Sequence, residues 1–172
     1  MRAEAFLAQA KSDWQIYAKL KRADEPSCHV LHYLQMATEK LGKAYLLAGK
    51  TTIDEVENSH LAFTRFLRFI SRNSKIQERL GMTAVQMRLH VKSLLSIAYA
   101  IEKLAPALAD NGINSEYPWK IPTGTIVAPV NYHFSLSEQL NGATGLNLLK
   151  LVNIVLENFW VLHDMKKRKG AK

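Results

Sequence analysis

Three histidines, one glutamate and a run of arginines are the residues whose types and spacing bear chemistry in this chain. His29 and His32 stand one turn apart on one face of a helical pattern, Glu39 lies two turns below His32, and His60 comes from a later segment. Imidazoles and carboxylates from facing helices hold metals in helical bundles, so His29, His32 and His60 open a metal-dependent reading. No second Glu-x-x-His element and no His-Glu-x-x-His run accompanies them, and structural or capping histidines are the plainer reading. Arg65, Arg68 and Arg72 follow at three- and four-residue spacing, with Lys75 and Arg79 in line to extend them. Guanidinium groups donate in a bidentate fork that matches phosphate. Such a stripe would hold a phosphate backbone without reading sequence. The plain alternative is a solvated basic face.

Other chemistries lack their residues. No Ser sits in a Gly-x-Ser-x-Gly elbow. Gly142-Ala143-Thr144-Gly145 lacks the Lys-Ser or Lys-Thr that completes a phosphate loop. Cys28 is the single cysteine, which excludes an internal disulfide and fits a reducing cytosol. A lone helical Cys reads as a small buried hydrophobe. The net charge of +8 points to an anionic partner, but Lys166, Lys167, Arg168, Lys169 and Lys172 supply five of the 23 basic residues. Without that tail the body is only mildly basic, and a short basic tail reads as a solvated end. No uninterrupted apolar run is long enough to cross a bilayer, and the N-terminal pattern is an amphipathic helix instead of a signal peptide.

The elements that must position these residues are helical. The stretch Cys28 to Lys50 organises the chain: Leu31, Leu34, Ala37, Leu41, Tyr45 and Ala48 recur at helical spacing on one side. Its opposite side carries His29, His32, Met36, Glu39, Lys40, Lys43 and Leu47, a mixed face that meets either a further helix layer or a dimer partner. A first helix is expected over 2–22, with Phe6, Leu7, Ala10, Trp14 and Tyr17 inward; Pro26 stops it and Ser27 caps the second. Gly49 caps the second helix at its end. A third helix is expected over 54–72, with Phe63, Phe66, Leu67 and Ile70 in one arc and the arginines opposite. Residues 73–82 connect it, through a short helix, to a fourth that Thr83 and Gln86 open as a capping box. That helix runs for about 26 residues past Leu94, Ile97, Ile101 and Leu104 to Leu108. Residues 113–134 hold three prolines and exclude a helix; Thr125 to Val130 offers a short strand, and Tyr117, Trp119 and Tyr132 would pin the loop to the bundle. Ser135 and Glu138 have capping-box spacing, and a final helix over 144–167 turns Leu146, Leu149, Val152, Leu156 and Phe159 inward. The sum is an all-α helical bundle of about five main helices with an irregular insertion near residues 113–134, one domain over 1–172 with a short basic tail at 166–172.

The run Gln35-Met36-Ala37-Thr38-Glu39-Lys40-Leu41-Gly42-Lys43-Ala44, with His60-Leu61 at the head of the third helix, resembles the HEPN superfamily. The resemblance covers residues 1–72, loosens over 83–109 and stops at the insertion. It implies a helical bundle of prokaryotic toxin–antitoxin or defence systems, often dimeric and often beside a nucleotidyltransferase-type partner. Active members of the family cleave RNA without metal, using an Arg followed by a His with four to six residues between them, late in the bundle. Here Arg88 is only two residues before His90, Arg79 has no His at that distance, and His133 and His163 have no such Arg. Arg22 and His29 have the spacing but straddle Pro26 at the wrong end. The expectation is therefore a cytoplasmic, homodimeric binding or accessory module, without a cofactor or a membrane, for a nucleotide, RNA or partner protein. Its candidate polar site is Glu39, Lys40, Lys43 and His60, and its phosphate contact Arg65, Arg68 and Arg72. The alternatives are a metal-dependent bundle enzyme on His29, His32 and His60, and a structural dimerisation protein.

Overall fold

Leucine and alanine at helical spacing build α2 (Ser27–Ala48), and its neighbours cover nearly all of it. In this computed structural model, which describes residues 2–49, 51–57 and 59–163, α2 is the central element. Leu31, Leu34, Ala37, Leu41 and Tyr45 are buried as their periodicity predicts, but so are Gln35, Thr38 and Lys43 on other sides. The helix α1 (Arg2–Arg22) lies along it through Leu7, Ala10 and Tyr17. On the mixed face, Leu47 packs against Leu46, Val56 and Ala62, so a further layer meets it there. Ser27 does not cap α2: Pro26 is the N-cap residue and no side chain caps the helix. Asp24 makes the turn between α1 and α2 at φ 54°, a left-handed conformation that Asp tolerates better than most residues.

The expected third helix divides into α3 (Ile53–Glu57) and α4 (Ala62–Ile70). Two contacts remote in sequence fix the start of α4. A Cβ at Gly42 would lie 2.5 Å from the carbonyl of Ala62 and 2.8 Å from Phe63 N, so the backbones of α2 and α4 meet where only glycine fits. The Thr64 N–H donates to Glu102 Oε1 at 2.9 Å, which caps α4 from another helix. Nine residues make a marginal helix alone. Phe63, Phe66, Leu67 and Ile70 are fully buried, and at roughly 1.5–3 kcal/mol each they hold it in place.

Asn73 caps the short α5 (Ser74–Leu80) by accepting from the Lys75 and Ile76 N–H groups, and Gly81 ends it at φ 62°. Thr83 and Gln86 form the expected capping box of α6 (Ala84–Glu102). This helix stops at Glu102, short of the expected Leu108. Pro106 has no N–H to continue the ladder and holds Ala105 extended at ψ 130°, leaving a 3-10 turn over Pro106–Leu108. The insertion contains β1 (Trp119–Lys120) paired antiparallel with β2 (Ile126–Val127), Trp119 opposite Val127. Trp119 is buried edge-on to Tyr132, which is edge-on to Phe134; these pin the insertion while Tyr117 is exposed.

The chain closes with α7 (Ser135–Asn141) and α8 (Ala143–His163). Ser135 and Glu138 form no capping box, because Phe134 takes the cap position and Glu138 lies 3.1 Å from His133. The inward face of α8 is rotated from the expected one: Leu148, Leu151, Val152, Val155, Leu156 and Phe159 are buried, and Leu146 is exposed. Gly145 is buried against Gln139 and Leu140 of α7, and this close approach sets the rotation. By length and hydropathy α8 matches a membrane span, although polar residues interrupt it and eight of its residues are buried in the bundle. Among the described residues, eight α-helices and one two-stranded sheet make the fold all-α. The basic tail at 166–172 lies outside the described residues.

Candidate functional site

The inward arc of α4 dictates where its cations go. With Phe63, Phe66, Leu67 and Ile70 in the core, Arg65 is left half-buried at the rim, and Arg68 and Arg72 are exposed. The start of α4 lies beside the end of α6, because Glu102 caps Thr64. Leu95, Ser96 and Tyr99 of α6 therefore come opposite Arg65 and Arg68. Together with Leu61 and Thr64 they line a cavity of about 380 Å³, within the range of small-ligand sites. Tyr99 is 47% exposed, and the Lys103 ammonium stands 5.0 Å from its ring centroid. Lys92, Ser96, Tyr99 and Lys103 recur along one side of α6, so a cation flanks the cavity at each end.

The electrostatics of this face are one-sided. Residues 58–101 hold seven Lys and Arg against the single acid Glu78, so this segment and the tail carry the positive excess of the chain. The one acid of α6 is Glu102, 1% exposed beneath the surface. Among the described residues no carboxylate pairs with Arg65, Arg68 or Arg72. The sequence motif alone missed Tyr99, which comes from another helix; the exposed aromatic of α4 itself is Phe69. Two signals in the chain mark Tyr99: the near absence of acids over 58–101, and the four-residue recurrence of polar and aromatic side chains on α6.

The proposed polar site is divided by the fold. Glu39 accepts from Gln35 at 2.7 Å and pairs with Lys43 at 2.7 Å, whereas Lys40 turns to Asp13 of α1 at 2.6 Å, which also accepts from Gln9. His60 precedes α4 by two residues and has no hydrogen bond or ion pair with them. Glu39 instead lies within electrostatic reach of Glu102, a carboxylate neighbourhood not visible from spacing. Burial pushes the Glu102 carboxyl above the usual range; the Thr64 and Phe63 N–H groups act against the rise and Glu39 adds to it. Glu102 Oε2 has no hydrogen-bond partner.

The histidines do not converge. His29 is exposed, His32 lies 3.5 Å from Glu116 of the insertion, and among the described residues no three His, Cys, Asp or Glu form a metal-holding group. Two other hollows are present. One of about 250 Å³ lies between the α1–α2 turn and α7, where Lys21 shares the lining with Asp24 and Glu25. There burial pushes the Tyr17 hydroxyl up to about 12. The other, of about 260 Å³, lies among Tyr45, Asn73, Lys75 and His163. Glu39, Lys43 and Glu102 line none of these three cavities. Set against family models, curated proteins and solved structures, the chain has no match in any of the three comparisons.

Proposed function

We propose that this chain is an HEPN-like binding or accessory module that holds a phosphate-bearing ligand, RNA or a nucleotide, on the face shared by α4 and α6. The observation that carries the reading is the pair Arg65 and Arg68, without carboxylate partners, facing Tyr99 across a cavity in a segment nearly free of acids. Unpaired guanidinium groups keep their forks available to phosphate, whereas Lys40 and Lys43 already serve Asp13 and Glu39. The role proposed is binding and not catalysis, because the family's Arg and His pair is missing from its expected place. The resemblance also implies a homodimer in a system of the toxin–antitoxin type. Val85 and Leu89 on α6, with Trp160 and Val161 on α8, are exposed apolar groups that such an interface would cover.

Thermal melting in the presence of ATP, GTP, short RNA and divalent metals tests the ligand. A ligand at one hundred times its dissociation constant stabilises by roughly 2.7 kcal/mol. A rise with nucleotide or RNA, abolished at high salt and in Arg68→Ala, is the expected result. A rise with metal alone would favour the metal-dependent alternative, and no rise with any of them would overturn ligand binding. A melting temperature that climbs with protein concentration is expected of the dimer, and one independent of concentration would contradict it.

A further inference from the structure

We propose that the α4–α6 groove selects an unpaired nucleotide, stacking its base on Tyr99 and holding its flanking phosphates on Arg65 and Arg68. The inference rests on the phosphate-binding reading above and adds which form of nucleic acid the groove accepts.

The lining carries it. A site for phosphate alone needs donors and positive charge, yet this groove is partly apolar: Leu61 is 41% exposed, Leu95 is half-buried and Tyr99 is 47% exposed. Aromatic and apolar side chains laid open between unpaired arginines make the surface on which single strands are held, the bases on the rings and the backbone on the cations. In a duplex the bases are already stacked on each other, and an A-form helix presents a shallow minor groove and a deep, narrow major groove that side chains do not read. Such a ligand would meet the arginines and leave Tyr99, Leu61 and Leu95 unused.

The Tyr99 ring is open to a flat partner. The group over its face is the Lys103 ammonium at 5.0 Å, a flexible cation and not a core side chain. An exposed contact of that kind is worth about two- to fivefold in an equilibrium, whereas a base stacked on an aromatic ring is worth roughly five- to a hundredfold in affinity. The base therefore displaces the ammonium, and the freed Lys103 stays beside the strand as one more cation for its backbone. The cavity of about 380 Å³ accommodates one base with its sugar, and Lys92, one turn before Ser96, continues the positive track along α6.

Fluorescence anisotropy with one labelled RNA, presented as a single strand and as its duplex, tests this. The full chain and its Tyr99→Ala, Tyr99→Phe and Arg68→Ala variants are compared at several salt concentrations. The wild type is expected to bind the single strand at least about tenfold more tightly than the duplex. Tyr99→Ala should weaken single-strand binding about tenfold with its salt slope unchanged, and Tyr99→Phe should keep the affinity because the ring remains. Arg68→Ala should lower the single-strand salt slope by about 0.7. Equal affinity for both forms, or a Tyr99→Ala variant that binds like wild type, would overturn the inference; Arg68-dependent binding would then still uphold the phosphate reading. Binding of neither RNA form would overturn the inference, and failure of the nucleotides in the melting test as well would remove the reading beneath it.

Discussion

Glu102 shows how one buried side chain ties the stability of the bundle to the site above it. Its carboxyl caps the start of α4, which carries the arginines, while its second oxygen has no partner. Because burial raises its titration in the folded state, the folded protein holds this proton more tightly than the unfolded chain does. The stabilising contribution is complete below the unfolded carboxyl value and fades as pH rises through the higher folded value. Glu102→Gln keeps an oxygen for the Thr64 N–H and removes the charge. Urea denaturation of this variant should show stability close to wild type near pH 4 and greater than wild type near pH 8. A variant less stable than wild type near pH 8 would mean that the charge at the α4 N-terminus outweighs its burial cost. The same substitution removes negative charge from beneath the groove, so it should also tighten RNA binding at the higher pH. Lys43 and Glu39, 8% exposed at the lysine, are a structural pair by contrast. Breaking a buried pair of this kind leaves an uncompensated charge.

At the scale of elements, the contact between α2 and α4 is the junction on which the site's geometry depends. Gly42→Ala would drive a Cβ into the Ala62 backbone at 2.5 Å, which no side-chain rotation relieves. The expected cost is about 2 kcal/mol in chemical denaturation, and a fully stable Gly42→Ala protein would show that α4 sits further from α2. Local sequence made much of this legible. The inward residues of α1, α2 and α4 follow their periodicity, and the Thr83–Gln86 box forms as its spacing predicts. The failures share a cause: a distant contact decides what a local pattern leaves open. The break before α4 depends on Gly42 and Glu102, and the rotation of α8 on Gly145 against α7. Ser27 and Ser135 have capping chemistry, yet the chain enters both helices one residue earlier. At the site, Arg65 and Arg68 were readable from helical spacing. Tyr99 was not, because it comes from a helix about thirty residues away that only the tertiary fold brings alongside.

Across the whole molecule, charge is sorted by segment, and the positive excess falls within residues 58–101 and the tail. Those two regions are the rival sources of any affinity for an anionic polymer. The central claim is that the α4–α6 face, and not the tail, supplies it. The most direct test is the salt dependence of RNA binding for three proteins: wild type, an Arg65→Ala/Arg68→Ala double variant, and a variant with Lys166, Lys167, Arg168 and Lys169 changed to alanine. Each phosphate that a variant no longer neutralises lowers the slope of log affinity against log salt by about 0.7 for a single strand. The groove variant should therefore show a slope shallower by roughly 1.4 and only a small part of the wild-type affinity, with the tail variant close to wild type. A tail variant that fails to bind while the groove variant keeps its slope would contradict the account.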